Sequence, residues 1–221
     1  MPRSASTSHN IVRDFPAALN FNGSTSQVIY SGAGVTGFAT ACSFSCWAKI
    51  FPGSTTQRIV LAQWGEGNSD RAVVCFQQSS LGKEDYSLQS GYYNGSAYTR
   101  SLTGQVPVNQ WFHVAYTWDG TTSRAYINGN LLASASSNPA SSPVTGLKIG
   151  AQTGAFWFGS VSNCKLWTRT LSQTEVTQLS QMRDQLVSST NLWCEWLLTD
   201  GAGTNATDSS SNARPGTITS G

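Results

Sequence analysis

The stretch Val106–Ala133, VPVNQWFHVAYTWDGTTSRAYINGNLLA, leaves this chain few folds to choose from. Trp111–Trp118 is dense in aromatic and β-branched residues, which suit a pleated, half-buried strand. Asp119-Gly120 and Asn128-Gly129 are dipeptides that tolerate positive φ, as primed hairpin turns demand. Strands over Trp111–Trp118, Arg124–Ile127 and Leu131–Ala133, joined by such turns, form a meander. The sheet that contains them is therefore antiparallel.

The rest of the chain repeats the theme. ALNF, NGST and QVIY predict two short strands around an Asn22-Gly23 turn. Cys42, Phe44, Cys46, Ala48 and Ile50 alternate with Ser43, Ser45, Trp47 and Lys49, a period of two with one face on a core. Arg58–Trp64, Ala72–Gln77, Tyr86–Tyr93, Ala151–Trp167 and Asn191–Leu198 read as further strands. One helix stands out. Ser172 as N-cap and Glu175 three residues on form a capping box, Leu171 and Val176 a hydrophobic staple, and Val176, Leu179 and Leu186 an apolar stripe. Thr199–Gly221 predicts a loop that ends in an edge strand around Gly216–Thr219. Many short strands, one helix and no strand–helix alternation predict an all-β, two-sheet antiparallel sandwich over residues 17–221. Residues 1–16, Ser-rich with two Arg, predict an extended N-terminal arm.

Charge narrows the function. Asp, Glu, Lys and Arg make up 11% of the chain, against about 25% in ordinary domains. Its four lysines (Lys49, Lys83, Lys148, Lys165) are scattered, so no basic stripe serves nucleic acid. No apolar run approaches the roughly 20 residues of a membrane span. The start, MPRSASTSHNIVRDF, holds no apolar core of a secretory signal. Cys42, Cys46, Cys75, Cys164 and Cys194 are odd in number and irregular in spacing. Buried thiols acting as small hydrophobes are expected, not a disulfide framework or a zinc site.

Four segments together resemble laminin-G-like and pentraxin-like domains of the concanavalin A-like lectin/glucanase superfamily. Val106–Ala133 is similar to their W-x-H-V-A-x-T-[YW]-D-G … x-Y-[VI]-N-G stretch. ALNFNG looks like the opening strand and FSCWAKI like the strand with a central Trp. LKIGAQTGAFWFGSVSNCKLWTRTLSQTEVTQL looks like the close of the domain. The tail WCEWLLTDGAGTNATDSSSNARPGT also resembles a segment accompanying many such domains. The likeness covers about residues 17–218 and implies a jelly-roll sandwich of two curved sheets. The fold serves glycan binding, protein binding and glycoside hydrolysis, so function must come from the site.

Hydrolysis needs two carboxylates flanking one bond, and no strand carries such a pair. Glu84 and Asp85 are adjacent, Glu195 stands alone on its strand, and Glu175 caps the helix. His113, mid-strand, is expected to pack or hydrogen-bond rather than to serve a Ser/His/Asp triad. Calcium-binding relatives commonly carry Asp in the opening F-D-G and in the I-D-[ED]-V strand. This chain has Asn22 and Ser162-Asn163 there, so no metal or other cofactor is expected. The Glu66–Asp70 loop, Asp200 and Asp208 offer oxygens, with turn chemistry the simpler role. A glycan site would draw on Trp64, Tyr92, Tyr93, Asn94, Tyr98 and Trp157, with Arg100 and Arg169 as polar partners. The expectation is a non-enzymatic binding or structural protein on a bacteriophage virion surface, as capsid decoration or fibre module. It would join like subunits or virion neighbours through the arm and engage a host glycan. The alternative is a lectin-like adhesion module of a bacterial surface protein, extracellular.

Overall fold

The meander forms as its turns require. In a computed structural model of the chain, the described residues are 17–30, 32, 38, 40–56, 58–64, 71–93, 98–136, 146–152 and 154–219. The first strands are β1 (Leu19–Asn22), β2 (Gln27–Tyr30), β3 (Cys42–Ile50), β4 (Arg58–Trp64), β5 (Arg71–Gln77) and β6 (Ser87–Tyr93). Then come β7 (Tyr98–Gln105), β8 (Trp111–Trp118), β9 (Thr122–Ile127), β10 (Asn130–Ser136) and β11 (Leu147–Ile149). The last are β12 (Ala151–Gln152), β13 (Ala155–Phe156), β14 (Phe158–Trp167), β15 (Leu192–Trp196), β16 (Asn205–Ala206) and β17 (Gly216–Thr219). The single α-helix among the described residues, α1, spans Gln173–Ser180, and a 3₁₀ turn follows at Asp184–Leu186.

Asn128 and Gly129 both take positive φ, 51° and 81°, so β9 and β10 are joined by the two-residue primed turn expected. The β8–β9 turn differs. Only Gly120 is at positive φ. Asp119 closes a longer loop through its side chain: Oδ1 accepts from the backbone N–H of Thr121 and Thr122, and Oδ2 pairs with Arg124 at 2.6 Å. A carboxylate able to hold two amides makes the second positive-φ residue unnecessary.

Two antiparallel sheets pack face to face as a jelly-roll sandwich. One has the order β1-β14-β3-β8-β9-β10, with β15 also on β14. β1 pairs with the first half of β14 and β15 with the second, so the two lie end to end along one strand. The other sheet runs β16-β17-β2-β11-β4-β5-β6-β7. Gly216–Thr219 is thus a strand, as expected, but an inner one, because the two-residue β16 takes the edge. The Ala151–Trp167 segment is three strands, broken between Gln152 and Ala155 and again at Trp157. The core between the sheets holds Phe44, Phe76, Phe112, Tyr116, Trp157 and Trp196. All five cysteines are buried thiols and none is in a disulfide.

The helix starts as its sequence dictates. Ser172 Oγ accepts from Glu175 N–H, while a Glu175 carboxylate oxygen accepts from Ser172 N–H at 2.9 Å. Leu171 and Val176 are buried in one cluster, which satisfies the staple. Leu186 is not part of the stripe. The helix ends at Ser180, and Leu186 lies in the 3₁₀ turn with 54% of its surface exposed. Ser172→Ala is expected to cost about 1 kcal/mol in a urea melt, the usual worth of a side-chain N-cap.

Candidate functional site

The outward face of the β3 sheet is the place where this chain concentrates polar chemistry. Sequence alternation puts Ser43, Ser45 and Trp47 there, opposite Thr117, Ala115 and His113 on β8 and Trp167, Lys165 and Ser162 on β14. A half-exposed strand was expected; instead all three β3 residues are buried. Part of the cover on this face is α1, whose Val176 and Leu179, with Leu171, pack on the neighbouring Ala115, Tyr126 and Trp167, while Trp47 packs edge-on against His113. Ser43 ties the two layers: its Oγ donates to Arg169 O and accepts from Leu171 N–H, both at 2.9 Å. Arg169 does the same for the far loop. Its guanidinium makes a two-bond pair with Glu175 and donates to the carbonyls of Ser188 and Thr190. That pairing holds the Glu175 carboxyl below its usual range.

Beyond the helix the cover parts into a groove of about 320 Å³ between β14, β15 and the segment after α1. Its polar centre is Lys165. The ammonium donates to Asp184 Oδ2 at 2.7 Å and forms an ion pair with Glu195 Oε1 at 2.6 Å, with only 9% of the lysine side chain exposed. Asn163 Nδ2 donates to the same Asp184 oxygen at 2.8 Å. Trp167, Leu179, Val187 and Leu192 form the apolar wall. Glu195 stands alone on its strand in sequence, but β14–β15 register sets it directly across from Lys165. Asp184 arrives from the 3₁₀ turn. Sequence reasoning met Lys165 as one of four scattered lysines, Glu195 as a lone carboxylate and Asp184 not at all; no local spacing in the sequence links the three.

Deeper under the same cover, Ser45 Oγ lies 2.8 Å from His113 Nε2. The pair is half of a nucleophile–base couple, yet the rest is lacking. Nδ1 has no hydrogen-bond partner among the described residues. The Asp184 carboxylate nearby is engaged by Lys165 and Asn163. Both side chains are sealed from solvent, at 2% and 1% exposure, so no substrate reaches the hydroxyl. Burial pushes the His113 pKa down to about 3, with the Asp184 charge opposing the shift. His113 is a neutral hydrogen-bonding residue of the packed face.

The residues expected to bind glycan do not form one patch. Trp157 is a correction: it is fully buried between the sheets, its ring centroid 5.6 Å from that of Phe76. The backbone explains why. Trp157 N–H donates to Gly150 O and its carbonyl accepts from Gly23 N–H, which fixes the residue inside the sandwich between two short hairpins. Trp64, Tyr92, Tyr93 and Tyr98 lie on the four-strand run β4–β7. Trp64 and Tyr92 share one row through Ala72, while Tyr93 pairs with Tyr98 and Arg71 in the adjacent row. Their side chains, that of Arg100, and all of Asn94 lie outside the described residues. Arg169 is engaged in the loop pins above.

The two family positions for calcium do not fit a cation. Asn22 Oδ1 accepts from the N–H groups of Ser24, Thr25 and Ser26, closing the first turn. Ser162 Oγ donates to the carbonyls of Ala17 and Leu197, and Asn163 holds Asp184. Asp200 and Asp208 cap tail loops: Asp200 accepts from Thr207 N–H, and Asp208 from Glu195, Ser210 and Arg214 N–H. The Glu66–Asp70 loop lies outside the described residues. Among the described residues no group of three His, Cys, Asp or Glu could hold a metal.

Known proteins share this architecture. No curated protein matches the chain by sequence. A heptameric SAP-like pentraxin from Limulus polyphemus superposes with a TM-score of 0.59 at 16% identity, over 74% of this chain and 81% of that one. A putative carbohydrate binding protein from Bacteroides ovatus superposes with a TM-score of 0.67 at 16% identity, over 92% of this chain but 58% of its own length. A Trypanosoma rangeli sialidase matches at 0.60 and 16% identity over 80% of this chain, which spans only 29% of that enzyme. A laminin-G model described as concanavalin A-like lectin/glucanases superfamily matches residues 22–177, well over half the chain. With the jelly roll and the four sequence segments in place, the chain belongs to the concanavalin A-like lectin/glucanase superfamily.

Proposed function

We propose that the chain is a non-catalytic carbohydrate-recognition module. The observation that carries this reading is the fold match over 92% of the chain with a putative carbohydrate binding protein. Non-catalytic is the better reading for a chemical reason. A glycosidase keeps one carboxyl available as acid and another as nucleophile or base. Here Asp184 and Glu195 both close on one ammonium, and Glu175 is held by Arg169. The Ser45–His113 pair is sealed. Placement on a virion surface, and assembly through residues 1–16, rest on a segment outside the described residues, and no neighbour named above is a virion protein. The alternative expected from the sequence, a lectin-like module, is therefore preferred.

The test is an array of bacterial and animal polysaccharides probed with the full chain. Binding to a defined subset, with no release of reducing ends on prolonged incubation, supports the proposal. A blank array, or turnover of any bound glycan, overturns it. Recognition is also proposed to be calcium-independent, because Asn22, Ser162 and Asn163 are engaged in turn and strand contacts. Adding excess calcium after chelation is expected to move the Tm by less than about 1 °C, whereas a ligand of the folded state raises it in proportion to occupancy. A clear rise would restore a calcium site.

A further inference from the structure

The Lys165 groove offers more hydrogen-bonding capacity than the fold uses. The ammonium carries three N–H donors; Asp184 accepts from one, and Glu195 pairs with the charge at 2.6 Å. Among the described residues no other group accepts from it. Asp184 Oδ1 and Glu195 Oε2 likewise receive no donor among the described residues. A purely structural ion cluster accounts for the two short pairs that fasten the 3₁₀ turn to β14. It does not account for an open groove of about 320 Å³ beside them, a volume at the lower end of small-molecule sites.

The free capacity has a specific shape. One spare cationic donor lies between two carboxylates with spare acceptor oxygens. A hydroxyl both accepts and donates, so a pair of hydroxyls on adjacent ring carbons satisfies this set. Each takes a bond from the ammonium side or gives one to a carboxylate, and bonds to charged partners are the strong ones. Next to them Val187 and Leu192, backed by the buried Trp167 and Leu179, give an apolar wall, matching the C–H face of a sugar ring. Lys165, Asp184 and Glu195 sum to one net negative charge, so a sugar bearing a carboxylate is repelled. We infer that this groove binds a single neutral pyranoside, held by Lys165, Asp184 and Glu195 with its apolar face on Leu192 and the Trp167 side. The inference rests on the carbohydrate-recognition reading and supplies its site, away from the β4–β7 tyrosines.

The experiment uses the full chain. Saturation-transfer NMR and calorimetry are run with methyl glucoside, galactoside, mannoside and N-acetylglucosaminide, and with sialic acid and glucuronate as anionic comparators. Two variants attack the groove differently. Glu195→Gln removes a charged acceptor at nearly constant shape. Ser189→Trp fills the groove from an exposed rim position and leaves the ion cluster intact. At least one neutral pyranoside is expected to bind, and each variant to weaken it about tenfold or more. If Glu195→Gln does not fold, Ser189→Trp decides alone. Unchanged affinity in both variants sinks the groove and leaves carbohydrate recognition standing. Preference for the anionic sugars overturns the inference. A blank result on the pyranosides with a positive polysaccharide array overturns the groove alone; blanks on both overturn the groove and the function together.

Discussion

Trp157→Ala should lower the unfolding free energy by about 4 kcal/mol, the usual cost of emptying an indole-sized core site. Trp157 is fully buried, and its neighbour Phe76 in turn stacks edge-on with Phe112, 5.4 Å between centroids. The cavity would open at the contact between the two sheets, where little can collapse into it. Trp157→Phe is the informative companion. It also loses volume, but it removes an indole N–H that is buried with no hydrogen-bond partner among the described residues. Such a donor costs about 1–3 kcal/mol on its own. The two effects oppose each other, so the phenylalanine variant should lose less than about 2 kcal/mol. Urea denaturation of both variants reads the difference. Glycan binding per folded molecule should be unchanged in Trp157→Phe. A variant that keeps its wild-type midpoint while losing binding would make Trp157 a sugar platform after all.

That residue shows where sequence reasoning stops. Period-two alternation made β3 readable, and aromatic, β-branched runs bounded by Asp-Gly and Asn-Gly turns did the same for β8 and β9. The Ser172–Glu175 box was readable because capping is a contact across three residues. The burial of Trp157 was not, because it depends on Phe76 and on a carbonyl of Gly150 placed by other strands. The Lys165 cluster was hidden for the same reason. Lys165, Asp184 and Glu195 are separated by 19 and 11 positions, and only the β14–β15 register and a 3₁₀ turn bring them onto one nitrogen. Alternation also misjudged the outer side of β3. It counts faces, whereas Ser43 is sealed by the segment entering a helix some 130 residues downstream, and that helix packs on the neighbouring strand residues Ala115, Tyr126 and Trp167. The low overall charge was informative in part: among the described residues Asp119–Arg124, Arg169–Glu175 and Lys165 with Asp184 and Glu195 are paired.

The buried imidazole makes the last consequence a matter of pH. His113 is held neutral in the folded protein, its pKa depressed to about 3 by burial, while the unfolded chain protonates it near 6.5. Below pH 6.5 the unfolded state therefore binds a proton that the native state does not. Stability present above pH 6.5 is lost as pH falls toward 3, at about 1.4 kcal/mol per unit. By pH 4.5 the loss is about 2.7 kcal/mol. Asp85, Asp119 and Glu175, whose carboxyls are held below their usual range, add a loss in the same direction at the acid end of this window, as the unfolded carboxyls begin to protonate; between pH 6.5 and about 5.5 the slope is mainly the histidine's. The other histidine, His9, lies outside the described residues, and a variant separates the two. His113→Gln keeps an amide that can reach Ser45 Oγ and cannot charge. It should cost about 1 kcal/mol at pH 7 and then cross the wild type as the pH is lowered. Urea midpoints measured from pH 7 to 4.5 should show a steep wild-type curve and a shallow variant curve. Parallel curves would mean that the imidazole is protonated in the native protein, and the Ser45–His113 pair would then need a charged partner that the packed face does not give it.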